Sequence, residues 1–148
     1  MIELKTWRER SKFKYEGSIE LGTAIYFGNN NLVNISSGQY KELVKYFAGR
    51  TVNIGTSRTK PPNKSVGEWL INNISKTAIA SYVGAILIYE GYAEKIGGSD
   101  IKFNLVEQLW SADNVSYTMS KNMNYLILYD GEVITWVLRN IFMQNFIH

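Results

Sequence analysis

Hydrophobic and polar positions alternate through Lys12-Phe13-Lys14-Tyr15-Glu16, the two-residue period of a strand with one buried face. Ile19 to Phe27 is apolar and rich in β-branched and aromatic residues, and Gly28-Asn29-Asn30-Asn31 supplies turn formers before Leu32-Val33-Asn34-Ile35. Residues 1–36 therefore read as a β-meander or hairpin. The period then changes. Tyr40, Leu43, Val44 and Phe47 follow the i, i+3, i+4, i+7 spacing of an amphipathic helix, preceded by serine caps at 36 and 37 and stopped by Gly49. Thr51-Val52-Asn53-Ile54 predicts a short strand, and Gly55 to Lys64, with the two prolines Pro61 and Pro62, predicts a loop.

Ser65-Val66-Gly67-Glu68 has the spacing of a capping box, in which hydroxyl and carboxylate each satisfy a free backbone amide. A helix over 66–73 follows, burying Trp69 and Leu70. Ser75 is expected to cap a longer helix through Glu90, with Ile79, Val83, Ile86 and Leu87 on one face and Gly91 ending it in the left-handed conformation. Residues 92–96 and 101–103 read as strands joined by Gly97-Gly98-Ser99-Asp100. Beyond them, 105–110 reads as a helical turn or two, and Tyr125 to Tyr129 as a strand ending at Asp130-Gly131. Val133, Ile134, Val137, Leu138 and Ile141 read as one face of a helix, which needs burial on its own domain or against a second copy.

A chain of 148 residues fits one domain of ordinary size, and 45% hydrophobic with 20% charged residues excludes a disordered tail. Without cysteine there are no disulfides, thiolate zinc sites or cysteine nucleophiles. His148 is the single histidine, so neither a His–carboxylate relay nor a multi-histidine metal centre can be built from one chain. No stretch approaches the roughly 18 apolar residues of a membrane span. The first twenty residues are charged throughout, unlike a signal peptide. These features lead to the expectation of a cytoplasmic location.

Charge is unevenly spread. The total is +3, but residues 1–104 carry a net +5 and residues 105–148 a net −2. From Tyr40 to Lys64, six cations face Glu42 alone, a footprint suited to a polyanion.

The order helix, strand, helix, helix, strand, turn, strand over residues 37–104 resembles the winged helix-turn-helix superfamily. Ile74-Ser75-Lys76-Thr77-Ala78-Ile79-Ala80-Ser81-Tyr82-Val83 is similar to that family's turn and recognition-helix start. Leu87, three further residues and Gly91-Tyr92 are similar to its helix end and strand opening, and Lys95 to Phe103 would form the wing. Trp69, bulkier than the usual packing residue, and the long 55–64 loop depart from the pattern. The implied architecture is α+β: a winged-helix-like core at 37–104, a β-rich N-terminal layer at 1–36, and a strand/helix extension at 105–148 serving packing or dimerisation.

That resemblance implies a DNA-binding regulator whose second helix enters a duplex groove. With Ile79, Val83 and Leu87 in the core, the outward positions would be Lys76, Thr77, Ala80, Ser81 and Gly84. Arg58, Lys60 and Lys64 would fix register on phosphates, with Lys95 and Lys102 on or near the wing. No Arg, Gln or Asn stands on the helix face, so base reading would be modest. The expected partners are duplex DNA and a second copy bound through the C-terminal helix, without cofactor, metal or membrane. A non-catalytic docking module on the same fold is the alternative. Asp100-Ile101-Lys102 and Glu3-Leu4-Lys5 each echo half of a metal-dependent nuclease signature. Neither has a Pro-Asp partner upstream, and Gly97-Gly98 lacks the rest of a phosphate loop, so enzymatic activity is not expected.

Overall fold

The computed structural model describes residues 1–105 and, beyond them, 116–119, 125–130, 132–139 and 142–147. The chain divides into two compact units, Met1–Leu105 and Val106–His148. The first therefore contains both the β-rich N-terminal segment and the helical segment after it.

The first unit opens with an antiparallel meander of β1 (Ile2–Lys5), β2 (Lys12–Ser18), β3 (Gly22–Phe27) and β4 (Asn31–Ile35), hydrogen-bonded in that order. The alternation in β2 has the predicted consequence. Phe13 and Tyr15 are buried while Lys12, Lys14 and Glu16 face solvent. The register runs Glu3–Lys14–Tyr26–Leu32 across the exposed face and Ile2–Tyr15–Ile25–Val33 across the inner one.

Helix α1 (Ser37–Phe47) starts at Ser36, whose hydroxyl accepts from the Gln39 amide while the Gln39 side chain returns to the Ser36 amide at 2.9 Å. Its apolar stripe of Tyr40, Leu43, Val44 and Phe47 is buried. Tyr40 shares a 2.6 Å hydrogen bond with Thr23, which ties α1 to β3. Strand β5 (Thr51–Asn53) leads into the 55–64 loop, then α2 (Val66–Asn73) and α3 (Ala80–Tyr89). A second antiparallel sheet, in the order β5-β7-β6, is completed by β6 (Ala93–Ile96) and β7 (Asp100–Phe103).

Two caps differ from expectation. Ser65 accepts from the Glu68 amide as predicted, but the Glu68 carboxylate takes the Lys64 amide rather than that of Ser65, which donates to the Pro62 carbonyl. Ser75 does not start the long helix. Both Ile74 and Ser75 donate to the Leu70 carbonyl, closing α2, and the Ser75 hydroxyl accepts from Thr77 in a local turn. Residues 75–79 are thus a connection, and α3 begins only at Ala80. Its end matches the prediction. Gly91 has φ 84°, the Tyr92 amide donates to Leu87 and the Gly91 amide to Ile88.

The second unit is a four-stranded antiparallel sheet in the order β11-β10-β9-β8, from β8 (Ser116–Met119), β9 (Tyr125–Asp130), β10 (Glu132–Arg139) and β11 (Phe142–Ile147). The strand expected at 125–129 is present. The helix expected from Val133 is instead β10. The run from Val133 to Leu138 is apolar but for Thr135, so helical spacing alone does not decide, and the β-branched residues Val133, Ile134, Thr135 and Val137 with Glu132 in register with Asp130 favour the hairpin. Dimerisation through a C-terminal helix therefore has no helix to rest on. Of the helical turn or two expected at 105–110, residues 106–110 lie outside the described residues. Among the described residues, no helix is long and apolar enough to cross a membrane.

Candidate nucleic-acid interface

The turn between β1 and β2 closes on itself before it touches anything else. The Thr6 and Glu9 amides donate to the carbonyls of Ser11 and Thr6, and Glu9 takes a left-handed φ of 57°. This geometry projects Trp7 inward and leaves Arg8, Glu9 and Arg10 at the exposed tip. Trp7 is 2% exposed.

Trp7 joins three elements. Its backbone amide donates to the Ser81 carbonyl in the first turn of α3 at 3.0 Å. Its indole Nε1 donates to the Gly98 carbonyl at the β6–β7 tip at 2.9 Å. Its carbonyl accepts from Lys95 Nζ at 2.6 Å, and the ammonium stands 4.8 Å from the centre of the ring. The ring also rests on Gly84. A Cβ there would come within 2.9 Å of Trp7 Cε3 and 2.7 Å of Ile54 Cδ1. Ile54, in turn, donates its amide to Ser99 at 2.8 Å. The β1–β2 turn, the residue before the 55–64 loop and the β6–β7 tip therefore meet at one place, on the side of α3 that carries Gly84 and is expected to face solvent.

This junction corrects the expected DNA face of the helix. Ala80 and Gly84 are buried rather than outward, and Ser81 is half-buried with its carbonyl engaged. Tyr82 stacks on Phe27 at 4.5 Å and meets Phe13 edge-on at 5.1 Å, so the meander covers a further strip of the helix. Ile79, Val83 and Leu87 are buried as predicted. With both sides occupied, α3 is a core helix; an element uncharged along its whole length has little reason to be elsewhere.

The candidate residues fall into separate groups. Arg58, Lys60 and Lys64 are exposed in the 55–64 loop, and Lys76 and Thr77 are exposed in the α2–α3 connection rather than on a helix. Lys95 anchors Trp7. Lys102 is exposed but stands in register with Glu94 and Thr51, whereas Lys95 stands in register with Ile101. Because side chains alternate along strands, Lys95 and Lys102 occupy opposite sheet faces. They do not form one surface. Sequence reasoning missed Trp7, Arg8 and Arg10. Lys5 to Lys14 holds five cations against Glu9 alone, a denser excess than that of Tyr40 to Lys64.

The ends of the loop are firmly held. Asn53 Oδ1 accepts from the Gly55 amide at 2.8 Å, and the Gly67 amide donates to the Ile54 carbonyl at 2.9 Å. The Ser65 hydroxyl, 1% exposed, donates to Pro62 at 2.6 Å. In the first turn of α2 the Gly67, Glu68 and Trp69 amides bond to Ile54 and Ser65, and Glu68 adds a negative charge, which disfavours an anion there.

A second clamp holds the meander to the other end of α3. The Glu90 carboxylate accepts the Tyr15 hydroxyl at 2.6 Å and the Ile19 amide at 3.0 Å. Burial, then the Glu90 hydrogen bond, pushes the Tyr15 phenol far above its ordinary value; burial does the same for Tyr40. Tyr92 is pushed up to about 12 by burial and by Glu20 and Glu90.

An open cleft of about 450 Å³ lies between α1 and α2, lined by Tyr46, Phe47, Trp69, Glu42, Glu68 and Lys64 among others. Among the described residues, no three of His, Cys, Asp or Glu converge as metal ligands would. No family model, curated protein or solved structure matches this chain.

Proposed function

We propose that this protein binds duplex nucleic acid through its phosphate backbone, using the 55–64 loop together with Lys76 and Thr77, and tolerates many sequences. One observation carries the reading: Arg58, Lys60 and Lys64 are all exposed on a segment without an acidic residue, held at both ends by hydrogen bonds. Exposed lysine, arginine and hydroxyl groups are the groups that position proteins on phosphate oxygens. Base reading through α3, the finer expectation, is not part of the proposal, because Trp7 lies on one side of that helix and Phe13 and Phe27 pack on its Tyr82 on another. Specificity of the kind a regulator needs would have to come from elsewhere. An anisotropy titration with a labelled duplex at several salt concentrations tests the reading. Four or five phosphate contacts give a log–log slope of about −4. Failure to bind at low salt, or a flat salt dependence, contradicts it.

A docking module is the second reading, favoured by the cleft between α1 and α2. There Tyr46 is 52% exposed beside a half-buried Trp69 at 6.3 Å between ring centres. Aromatic side chains open to solvent in a cleft are the usual anchors of protein contacts. Tyr46→Ala leaves the duplex titration unchanged if the first reading holds.

A further inference from the structure

We infer that the β1–β2 turn is a second phosphate-contacting element, with Arg8 and Arg10 as its cations, and that Trp7 fixes it beside the 55–64 loop. The inference rests on the nucleic-acid reading and adds a surface that the loop does not contain. Trp7 Nε1 is bonded to Gly98 and the Ile54 amide to Ser99, so the turn and the loop are anchored on adjacent residues of the same hairpin tip. Arg8 and Arg10, both exposed, follow Trp7 in the chain, and Arg58 and Lys60, also exposed, follow Ile54 by four and six residues. Gly97 and Gly98 have no atom within 4 Å of an added Cβ, so the backbone between the two cationic segments stands open to a partner. Fixing a turn by five interactions through one side chain and its backbone is far more than a solvated loop needs. It removes in advance the ordering entropy that binding would otherwise cost.

The occupant is a phosphate polyanion rather than a lipid surface. Within the turn the exposed side chains are Arg8, Glu9, Arg10 and Ser11, so the turn itself offers charge and no apolar side chain to an acyl layer. Arginine at both positions suits bidentate contact with phosphate oxygens.

The test titrates full-length protein with a duplex of arbitrary sequence, across salt concentrations, for wild type, R8A/R10A, R8K/R10K and R58A/K60A. Circular dichroism and melting temperature confirm that each variant folds. Wild type should bind, and R8A/R10A should bind on the order of 50-fold more weakly at 0.1 M salt, with a slope shallower by about 2 units. R8K/R10K should recover most of the slope. If R8A/R10A matches wild type while R58A/K60A is weakened, the inference is overturned and the loop reading stands. If wild type does not bind, both fall. If R8A/R10A loses affinity only for vesicles of anionic phospholipid, the duplex assignment is overturned.

Discussion

Trp7 and Gly84 are complementary: the indole lies where a side chain at 84 would otherwise project, and an added Cβ would approach Trp7 Cε3 to 2.9 Å. A small residue in mid-helix normally weakens the helix, by about 1 kcal/mol for glycine against alanine. Here it admits the anchor that joins the meander, α3 and the β6–β7 hairpin.

Gly84→Ala is therefore expected to destabilise the protein although alanine is the better helix former. Overpacking costs about 1–3 kcal/mol, and the indole cannot retreat while its Nε1 and backbone are bonded. Guanidinium denaturation should show a net loss of about 1 kcal/mol, the propensity gain being set against the clash. A stabilised variant would mean that Trp7 is not held.

Truncating the anchor itself should cost more. Trp7→Ala removes a buried aromatic and is expected to lower stability by about 3–5 kcal/mol. Trp7→Phe keeps most of the ring but loses the bond to Gly98, and should cost clearly less. Equal losses for the two variants, measured by thermal melting, would show that the polar contacts rather than the burial dominate.

Stability should fall at alkaline pH. Tyr15 and Tyr40 are fully buried with phenols raised above the ordinary value of 10.0, and Tyr92 is raised to about 12. Above pH 10 the unfolded chain releases these protons while the folded protein keeps them, so unfolding gains. The contribution is complete below pH 10 and is lost as pH rises, through about 12 for Tyr92 and higher for the other two. Each fully buried tyrosine contributes a slope of up to about 1.4 kcal/mol per pH unit in that range. Denaturation midpoints between pH 8 and 12 check this; a midpoint that stays level past pH 11 contradicts it.

Lys102→Ala should leave duplex binding unaltered, because Lys102 shares its sheet face with Glu94 and Thr51 and not with Trp7. Arg58→Ala, by contrast, should weaken binding and make the salt slope shallower by about 1 unit. Anisotropy titrations separate the two. Equal losses would place the interface on the other face of the β5-β7-β6 sheet.

Much of the first unit was legible from local pattern. The alternation through Phe13 and Tyr15, the Tyr40–Phe47 stripe and the Gly91 stop each depend on neighbours in sequence and each reads correctly, as does the hydroxyl half of the Ser65 cap though not its Glu68 half. What failed was longer in range. Trp7 contacts Gly98 across 91 residues, and nothing near Trp7 announces that partner. The sequence does carry one signal of it: residues 80–89 contain no charge, which argues for a helix largely enclosed by the protein. The Val133–Ile141 segment failed for a different reason. Its apolar residues have a helical spacing within a nearly continuous apolar run, which a strand accommodates equally well, and the pairing of β10 with β9 and β11 decides for the strand.

Backbone amide shift mapping of the full chain during duplex titration tests the central claim most directly. Phosphate contact by the loop and turn predicts salt-sensitive shifts at Arg8–Arg10, Ser57–Lys60 and Lys76–Thr77, with residues 83–88 of α3 unmoved. Large shifts along 80–88 with the turn and loop silent would mean that the helix opens to the duplex, contrary to the Trp7 anchor described above.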